Sequence, residues 1–373
     1  MMQEKLYTQN FKLISMASIE RLDQYQPYSL DTDRKNQILG EILFDLEKKH
    51  IEKCPEYKLI SKSWTFSDSD VYKIENLPFM PVRLFKELEL LSIDRADIRK
   101  TLTSSGTSGQ IPSKIFLDAT TASNQTRVLN KILSSFIGKK RIPMLIIDSK
   151  SVLKDRNSFS ARGAGILGFS MFGYDVHYLL DDDFNLDFEL LESFLEKHKG
   201  EKILLFGFTY IVWEFFNNAL QKKGLTINLE NGILIHGGGW KKMIDSAVDT
   251  HTFRKSLFDK TKIQQIYNYY GLVEQTGSIY MECEAAYLHA SNYSDIIIRD
   301  HRDYTIAPIG QEGIVQLISS LPSSYPGHSI LTEDLGSIAG IDDCSCGRKG
   351  KYFTISGRIK NAEVRGCSDT IQK

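Results

Sequence analysis

Thr103-Ser104-Ser105-Gly106-Thr107-Ser108-Gly109-Gln110 crowds hydroxyls and glycines into one short stretch. Glycine lets a backbone turn sharply and approach a ligand closely. Hydroxyls and free backbone N–H groups in such a loop can wrap an anion. The stretch is not a Walker loop, because GxxxxGK[ST] is absent. Alone it reads either as a phosphate loop or as a polar surface loop. His236-Gly237-Gly238-Gly239-Trp240 follows a short apolar run, and glycines at the carboxyl end of a parallel strand sit where α/β sheets take ligands. Alone it also reads as a flexible turn. In Tyr269-Tyr270-Gly271-Leu272-Val273-Glu274-Gln275-Thr276-Gly277, Glu274 offers the carboxylate oxygen that magnesium takes, and Thr276 offers a hydroxyl to a phosphate. In Thr332-Glu333-Asp334-Leu335-Gly336 an acidic group can accept from ribose hydroxyls. In Gly357-Arg358 a guanidinium can reach ribose or phosphate. Each acidic or basic residue here has a plainer reading as a solvent-facing charge.

The five cysteines are an odd number and read better as ligands, nucleophile or filler than as disulfides. Cys283, His289, Cys344 and Cys346 offer three thiols and one imidazole, a set that suits zinc in a closed structural site. The alternative is a pair of buried and a pair of exposed cysteines with no shared role. Cys54 closes a predicted helix and reads as packing. Cys367 lies near the end of the chain after a glycine, with Lys360 and Arg365 close enough in sequence to lower its pKa. A thiolate there would be a nucleophile.

The elements that must position these residues show as periodicity. Leu39, Ile42, Leu43 and Leu46 predict a helix over 34–53, stopped at Cys54-Pro55. Leu77–Pro81 is expected to be extended, since each residue before proline leaves the helical region. Apolar runs at 144–147, 176–180, 203–206, 233–235 and 263–267 alternate with helix-length amphipathic stretches at 161–172, 188–199, 210–222 and 241–258. That alternation predicts a parallel sheet covered on both faces. Beyond 290, strand candidates at 296–298, 314–318, 329–332 and 352–355 predict a smaller β-rich part. The expected division is a helical region packed on the core over 1–95, an α/β core over 96–290, a β-rich subdomain over 291–356 and a tail over 357–373.

The order TSSGTSG, GGG, YGLVEQTG, TEDLG, GR resembles the core motifs of the adenylate-forming ligase superfamily, from about residue 77 onward. The resemblance implies an α/β fold of the superfamily's N-terminal type, with ATP and Mg²⁺ activating a carboxylate as an acyl-adenylate. By that resemblance Thr103, Ser104, Ser105, Gly106, Thr107, Ser108 and Gly109 hold phosphates and Glu274 helps bind Mg²⁺. Gly237, Gly238, Gly239 and Tyr270 flank the adenine, Gly271 and Thr276 complete the nucleotide loop, and Asp334 and Arg358 hold the ribose. Most members carry a further mobile domain after GR that supplies a lysine. Here only 359–373 follows, so that domain is expected to be absent, with Lys241 or Lys360 as candidate substitutes.

One short branch, the acyl-protein synthetases of the LuxE family, is similar over nearly the whole chain. The similar segments are Lys49–Tyr57, Pro78–Lys86, Thr103–Thr107, Gly237–Lys241 and Arg365-Gly366-Cys367-Ser368. The resemblance implies that Cys367 accepts the acyl group and that a partner reductase or carrier takes it on. Cys344-Ser345-Cys346-Gly347-Arg348 and Glu282-Cys283-Glu284 also resemble phenylacetate-CoA ligases, some of which bind a metal. Leu205–Tyr210 occupies the place where the superfamily lines its acyl pocket, and 159–172 is expected to form another wall. Phe208 and Trp213 would shorten that pocket or serve as helix core. Arg162 would pair with a polar or anionic substrate group or lie at the surface. The acid is expected to be fatty, with a small hydroxy or aryl acid delivered to CoA or a carrier thiol as the alternative. A non-catalytic scaffold of a reductase complex is the second alternative.

Composition sets the outer bounds. Over 373 residues, Lys plus Arg is 46 and Asp plus Glu is 47. A net charge of −1 gives no electrostatic ground for nucleic-acid binding. No apolar run approaches the roughly 18 residues that a membrane span needs. The N-terminus lacks the apolar segment of a signal peptide. A cytoplasmic, reduced protein is expected.

Overall fold

The computed structural model of the protein describes residues 18–64, 73–104, 112–153, 161–240 and 247–359. Helix α1 (Thr32–Lys53) begins where the Asp31 carboxylate accepts the Arg34 N–H at 2.8 Å. Such a cap contributes about 1 kcal/mol. Its inward face carries Leu39, Leu43 and Leu46, as the periodicity predicts. Pro55 ends α1 and starts a second helix, Pro55–Ser61, since proline suits a first helical position. The expected extended stretch contains the two-residue strand β1 (Met80–Pro81). Strands β2 (Lys100–Thr103) and β3 (Lys114–Leu117) then form an antiparallel ribbon that closes with Thr103 opposite Lys114. Helix α2 (Ala119–Ile137), capped by Asp118, follows; the sequence periodicity did not announce it, because hydroxyls and amides fill its first turns.

From here strands and helices alternate as expected. They are β4 (Ile142–Ser149), α3 (Ala161–Ser170), β5 (Gly173–Leu180), α4 (Phe188–Lys197), β6 (Ile203–Phe208), α5 (Thr209–Ile211 onward to Asn218–Lys222), β7 (Gly232–Gly237), α6 (Thr250–Thr261) and β8 (Gln265–Tyr270). The middle of α5, Val212–Asn217, is wound as a π-helix. Of the helix expected over 241–258, residues 241–246 lie outside the described residues; 247–249 are not helical, and α6 begins at Thr250, where Asp249 accepts the Thr252 N–H and fixes the first turn.

All five body strands pair in parallel, in the order β5-β4-β6-β7-β8. Strands β9 (Tyr280–Glu282), β10 (Leu288–His289), β11 (Ser294–Arg299), β12 (Gly313–Ser319), β13 (Ser329–Ile341) and β14 (Lys351–Arg358) extend the same sheet antiparallel. The order there is β11-β12-β13-β14-β10-β9, β9 joins β8, and β1 adds to β13 in parallel. Leu204, Leu205 and Phe206 in the middle of β6 are each 0% exposed. Full burial of one such side chain stabilises by roughly 1.5–3 kcal/mol. A buried charge cluster joins the N-terminal helix to the antiparallel half. Lys35 Nζ lies 3.5 Å from Asp295 Oδ1, and Lys351 Nζ lies 3.4 Å from the same oxygen.

Candidate active site

The carboxyl ends of β6, β7 and β8 lie side by side, with Phe208 in register with Gly237 and Gly237 in register with Tyr269. Glycine is required at 237, since a Cβ there would overlap the Tyr269 ring. Gly238 has φ +78, a region that non-glycine residues rarely enter. Gly238 and Gly239 are exposed at the end of the strand. Thr209 Oγ1 lies 3.1 Å from Gly237 O and 2.9 Å from His236 Nδ1. A hydroxyl has one proton. If Thr209 donates it to the carbonyl, His236 donates from Nδ1 to Thr209. Burial draws the His236 pKa down to about 3, so the ring is neutral and holds the start of the turn without charge.

Tyr270 points to the opposite face from Tyr269, as strand alternation dictates. Its hydroxyl donates to Asp334 Oδ2 at 2.6 Å. Arg358 Nε lies 2.9 Å from Asp334 Oδ1, and Arg358 and Asp334 are cross-strand partners on β14 and β13. Three motifs that are far apart in sequence thus meet at one carboxylate. That carboxylate accepts the Tyr270 hydroxyl, is ion-paired with Arg358 and, with about four lone-pair positions, can accept more.

Glu274 sits in the single turn Val273–Gln275 and is 3% exposed. Tyr325 donates its hydroxyl to Glu274 O at 2.9 Å. Gln275 Nε2 donates to Gly327 O at 2.8 Å and Leu317 O at 3.1 Å. Thr276 donates its hydroxyl proton back to Val273 O at 2.8 Å, which leaves its oxygen lone pairs for other donors. Ser324 Oγ donates to Phe116 O of β3 at 2.8 Å, and Ser323 Oγ lies 2.7 Å from Thr121 Oγ1 of α2. The loop Ser323-Ser324-Tyr325 therefore ties the ribbon, α2 and the Glu274 turn together. Sequence reasoning missed it, and its one signal is an aromatic residue inside a Pro/Ser/Gly loop. At the ribbon's end, Ser104 Oγ accepts the Ser113 N–H at 2.8 Å. Ser105, Gly106, Thr107, Ser108 and Gly109 lie outside the described residues, as do Lys241, Lys360 and Cys367.

The four candidate metal ligands converge. The ligand atoms of Cys283, His289, Cys344 and Cys346 all lie within 4.8 Å of one another. Cys283 Sγ is 3.9 Å from Cys344 Sγ, and Cys346 Sγ is 3.4 Å from His289 Nε2. Tetrahedral zinc with bonds of about 2.3 Å to sulfur and about 2.0 Å to nitrogen would set these separations near 3.8 and 3.5 Å. The donor set and its spacing fit that ion. Burial pushes the Cys283 thiol up to about 12 and draws His289 down to about 4, the latter leaving the neutral imidazole that metals bind.

Two other residues find plainer places. Cys54 is fully buried beside Tyr57 and Phe85, as a packing residue. Arg162 is 2% exposed and donates to Asp148 through Nε at 2.8 Å and Nη2 at 2.5 Å. It is neither at the surface nor in want of an anionic substrate group.

A parallel body continued by an antiparallel half, with glycine turns at the strand ends, defines the adenylate-forming ligase fold. The structure superposes on 2-hydroxyisobutyryl-CoA ligase, solved in complex with 2-HIB-AMP, with a TM-score of 0.68 at 13% identity over 90% of this chain and 70% of that chain. Within that class, the acyl-protein synthetase family, LuxE, matches residues 3–373, and the chain belongs to it. It is an AMP-forming acid ligase. Similar relatives are the long-chain-fatty-acid–luciferin-component ligases of Aliivibrio fischeri and Vibrio harveyi. The first is 23% identical over 97% of this chain and 95% of its own. The second is 22% identical over 80% of this chain and 78% of its own. Among the described residues no helix is long and apolar enough to cross a membrane.

Proposed function

We propose that the chain uses ATP to convert a carboxylic acid into an acyl-adenylate and passes the acyl group to the Cys367 thiol. From there a reductase or carrier protein takes it, in the cytoplasm. One observation carries the nucleotide site: Tyr270, Asp334 and Arg358 converge beside the turn that holds Glu274. Asp334 accepts the ribose hydroxyls, and Arg358 holds Asp334 in place while reaching the sugar and phosphate. Gly237–Gly239, Tyr270 and Gly271 flank the adenine. The hydroxyls and N–H groups of 103–109, with Thr276, take the phosphates. Glu274 would offer an oxygen to Mg²⁺, which offsets phosphate charge when bound.

The carboxylate oxygen of the acid attacks the α-phosphorus. The bond from that phosphorus to the bridging oxygen breaks, and pyrophosphate leaves with the electron pair. The enzyme's part is positioning and charge stabilisation. Then the Cys367 sulfur attacks the acyl carbonyl, the carbon–oxygen bond to phosphate breaks, and AMP leaves with its electron pair. The thiol proton goes to solvent, and Lys360 and Arg365 favour the thiolate. ATP–pyrophosphate exchange that depends on added acid tests the reading. No exchange with any acid would remove it.

Asp334→Asn keeps the shape and removes the charge. It is expected to raise the KM for ATP about tenfold, the equivalent of one hydrogen bond to a charged group, and to leave the acid's KM within twofold. A KM for ATP that does not move would place the ribose elsewhere.

The same proposal gives Cys283, His289, Cys344 and Cys346 a structural zinc. It would lock the β9–β10 hairpin to the loop before β14, and so steady the strand that precedes Glu274. Metal analysis is expected to find one zinc per chain. Cys344→Ser is expected to lose it and to lower Tm on the order of 5–10 °C, since structural zinc binding is folding free energy. Metal-free protein with an unchanged Tm would refute the site.

A further inference from the structure

An acyl-adenylate has a charged half and an acyl half, and the carboxyl ends of the strands carry groups of both characters. The inference below rests on the adenylation reading and adds the size of the acid. The charged end lies at Tyr270, Asp334 and Arg358. The other end follows from topology. β4 connects outward to β5, whereas β6 connects the opposite way to β7, so the strand order reverses between β4 and β6. Open α/β sheets bind ligands outside the carboxyl ends of the strands at such a point.

What stands there is aromatic. Parallel partners in register present their side chains to one face, so Phe208, Gly237 and Tyr269 share a face, and Phe206 joins them two residues earlier on β6. Helix α3 covers that face. Phe169 stacks on Phe206 at 4.1 Å and 17°, and its ring lies 5.2 Å from that of Tyr269. Phe206, Phe208 and Phe169 are 0%, 2% and 3% exposed. A Cβ added to Gly165 of α3 would meet the tip of Phe208 at 3.4 Å and the Tyr269 hydroxyl at 3.8 Å. Gly165 and Tyr269 are half-buried, and the close packing of Gly165 on Phe208 and the Tyr269 hydroxyl leaves little more than a methyl's width between α3 and these strand ends. Behind it the rings are packed against one another, and dense interiors resist the insertion of further methylenes.

We propose that the acid activated by this chain is short-chained, its tail bounded by Phe208, Tyr269 and Phe169 under Gly165. A long fatty chain threaded between α3 and β6 would have to part the Phe169–Phe206 stack. Tyr269 is the principal specificity residue: it is bulky, and it fills the space that Gly237 leaves open.

The test measures acid-dependent pyrophosphate release for acetate, 3-hydroxybutyrate, butyrate, octanoate and tetradecanoate. The wild-type protein is expected to show its highest kcat/KM on a short acid, with tetradecanoate at least tenfold lower. Phe208→Ala is expected to move the optimum toward octanoate by at least tenfold relative to butyrate. Gly165→Val is expected to lower kcat/KM for butyrate at least tenfold with the KM for ATP within twofold. A wild-type preference for tetradecanoate overturns the inference and leaves the adenylation reading intact. Release with no acid at all overturns both. The wild-type profile decides the matter even if a variant does not fold.

Discussion

Glu274→Gln is expected to lower ATP–pyrophosphate exchange by roughly 10²–10³-fold, the loss usually seen when one preorganised electrostatic partner of a transition state is removed. The substitution is nearly isosteric. The turn that carries it is held by the Tyr325 hydroxyl on Glu274 O and by the Gln275 side chain on Gly327 O and Leu317 O. Those bonds use main-chain atoms of residue 274 and the side chain of its neighbour, so they survive the change. Thermal unfolding should therefore move by no more than about 1 °C, under about 1 kcal/mol for a chain of this size. An amide oxygen still binds a hard cation weakly, so the Mg²⁺ concentration for half-maximal exchange should rise as the rate falls. Glu274→Asp keeps the charge on a shorter stem and should recover part of the activity. Exchange within threefold of wild type in Glu274→Gln would take the carboxylate out of the site. A large drop in Tm would make its role structural.

The strands of the parallel body could be read directly, because strands buried on both faces must be apolar throughout. Each of the runs at 144–147, 176–180, 203–206, 233–235 and 263–267 lies within, or overlaps, an observed strand. Ends were hardest to read where the closing residue is polar or glycine and serves the turn, as at Ser149 of β4, Gly237 of β7 and Tyr270 of β8. Helix α2 escaped notice for the converse reason. Val128, Ile132 and Leu133 face the core, but Thr120, Thr121, Ser123 and Asn124 open the helix and mask the pattern. The meeting of Tyr270, Asp334 and Arg358 was foreshadowed by motif order, not by any local signal. Their contact depends on the pairing of β13 with β14 and on the place of β14 two strands from β9, which no single segment encodes. The bracing loop 323–325 was invisible for a related reason. Two of its hydrogen bonds go to main-chain atoms far away in sequence, Phe116 O and Glu274 O, and those are blind to residue type at the receiving end.

The covalent step makes the sharpest prediction. Cys367→Ser is expected to abolish the stable acyl adduct, at least 100-fold by intact mass, while acid-dependent pyrophosphate release persists. The difference is chemical. A thiol with an ordinary pKa near 8.5 is partly thiolate at neutral pH, whereas a serine hydroxyl is not ionised at all. Of the other four of the chain's five cysteines, burial makes one a poor acceptor, and the zinc proposed above would make the remaining three so. Cys54 is 0% exposed, and burial raises its thiol pKa, so neither approach nor ionisation favours it. Cys283, Cys344 and Cys346 sit with His289 in the cluster proposed for zinc, where a metal would occupy the sulfur lone pairs. The wild-type adduct should carry one acyl group per chain and should be released by neutral hydroxylamine, as a thioester is and an ordinary ester is not. Its rate of formation should rise with pH as the Cys367 thiol ionises, since the thiolate is the attacking species. With Lys360→Ala the same rise should move to higher pH, because the proposal makes Lys360 one of two cations that favour the thiolate. An adduct that survives Cys367→Ser would put the acceptor elsewhere. No adduct in either protein, with pyrophosphate still released, would send the acyl group straight from the adenylate to an external thiol.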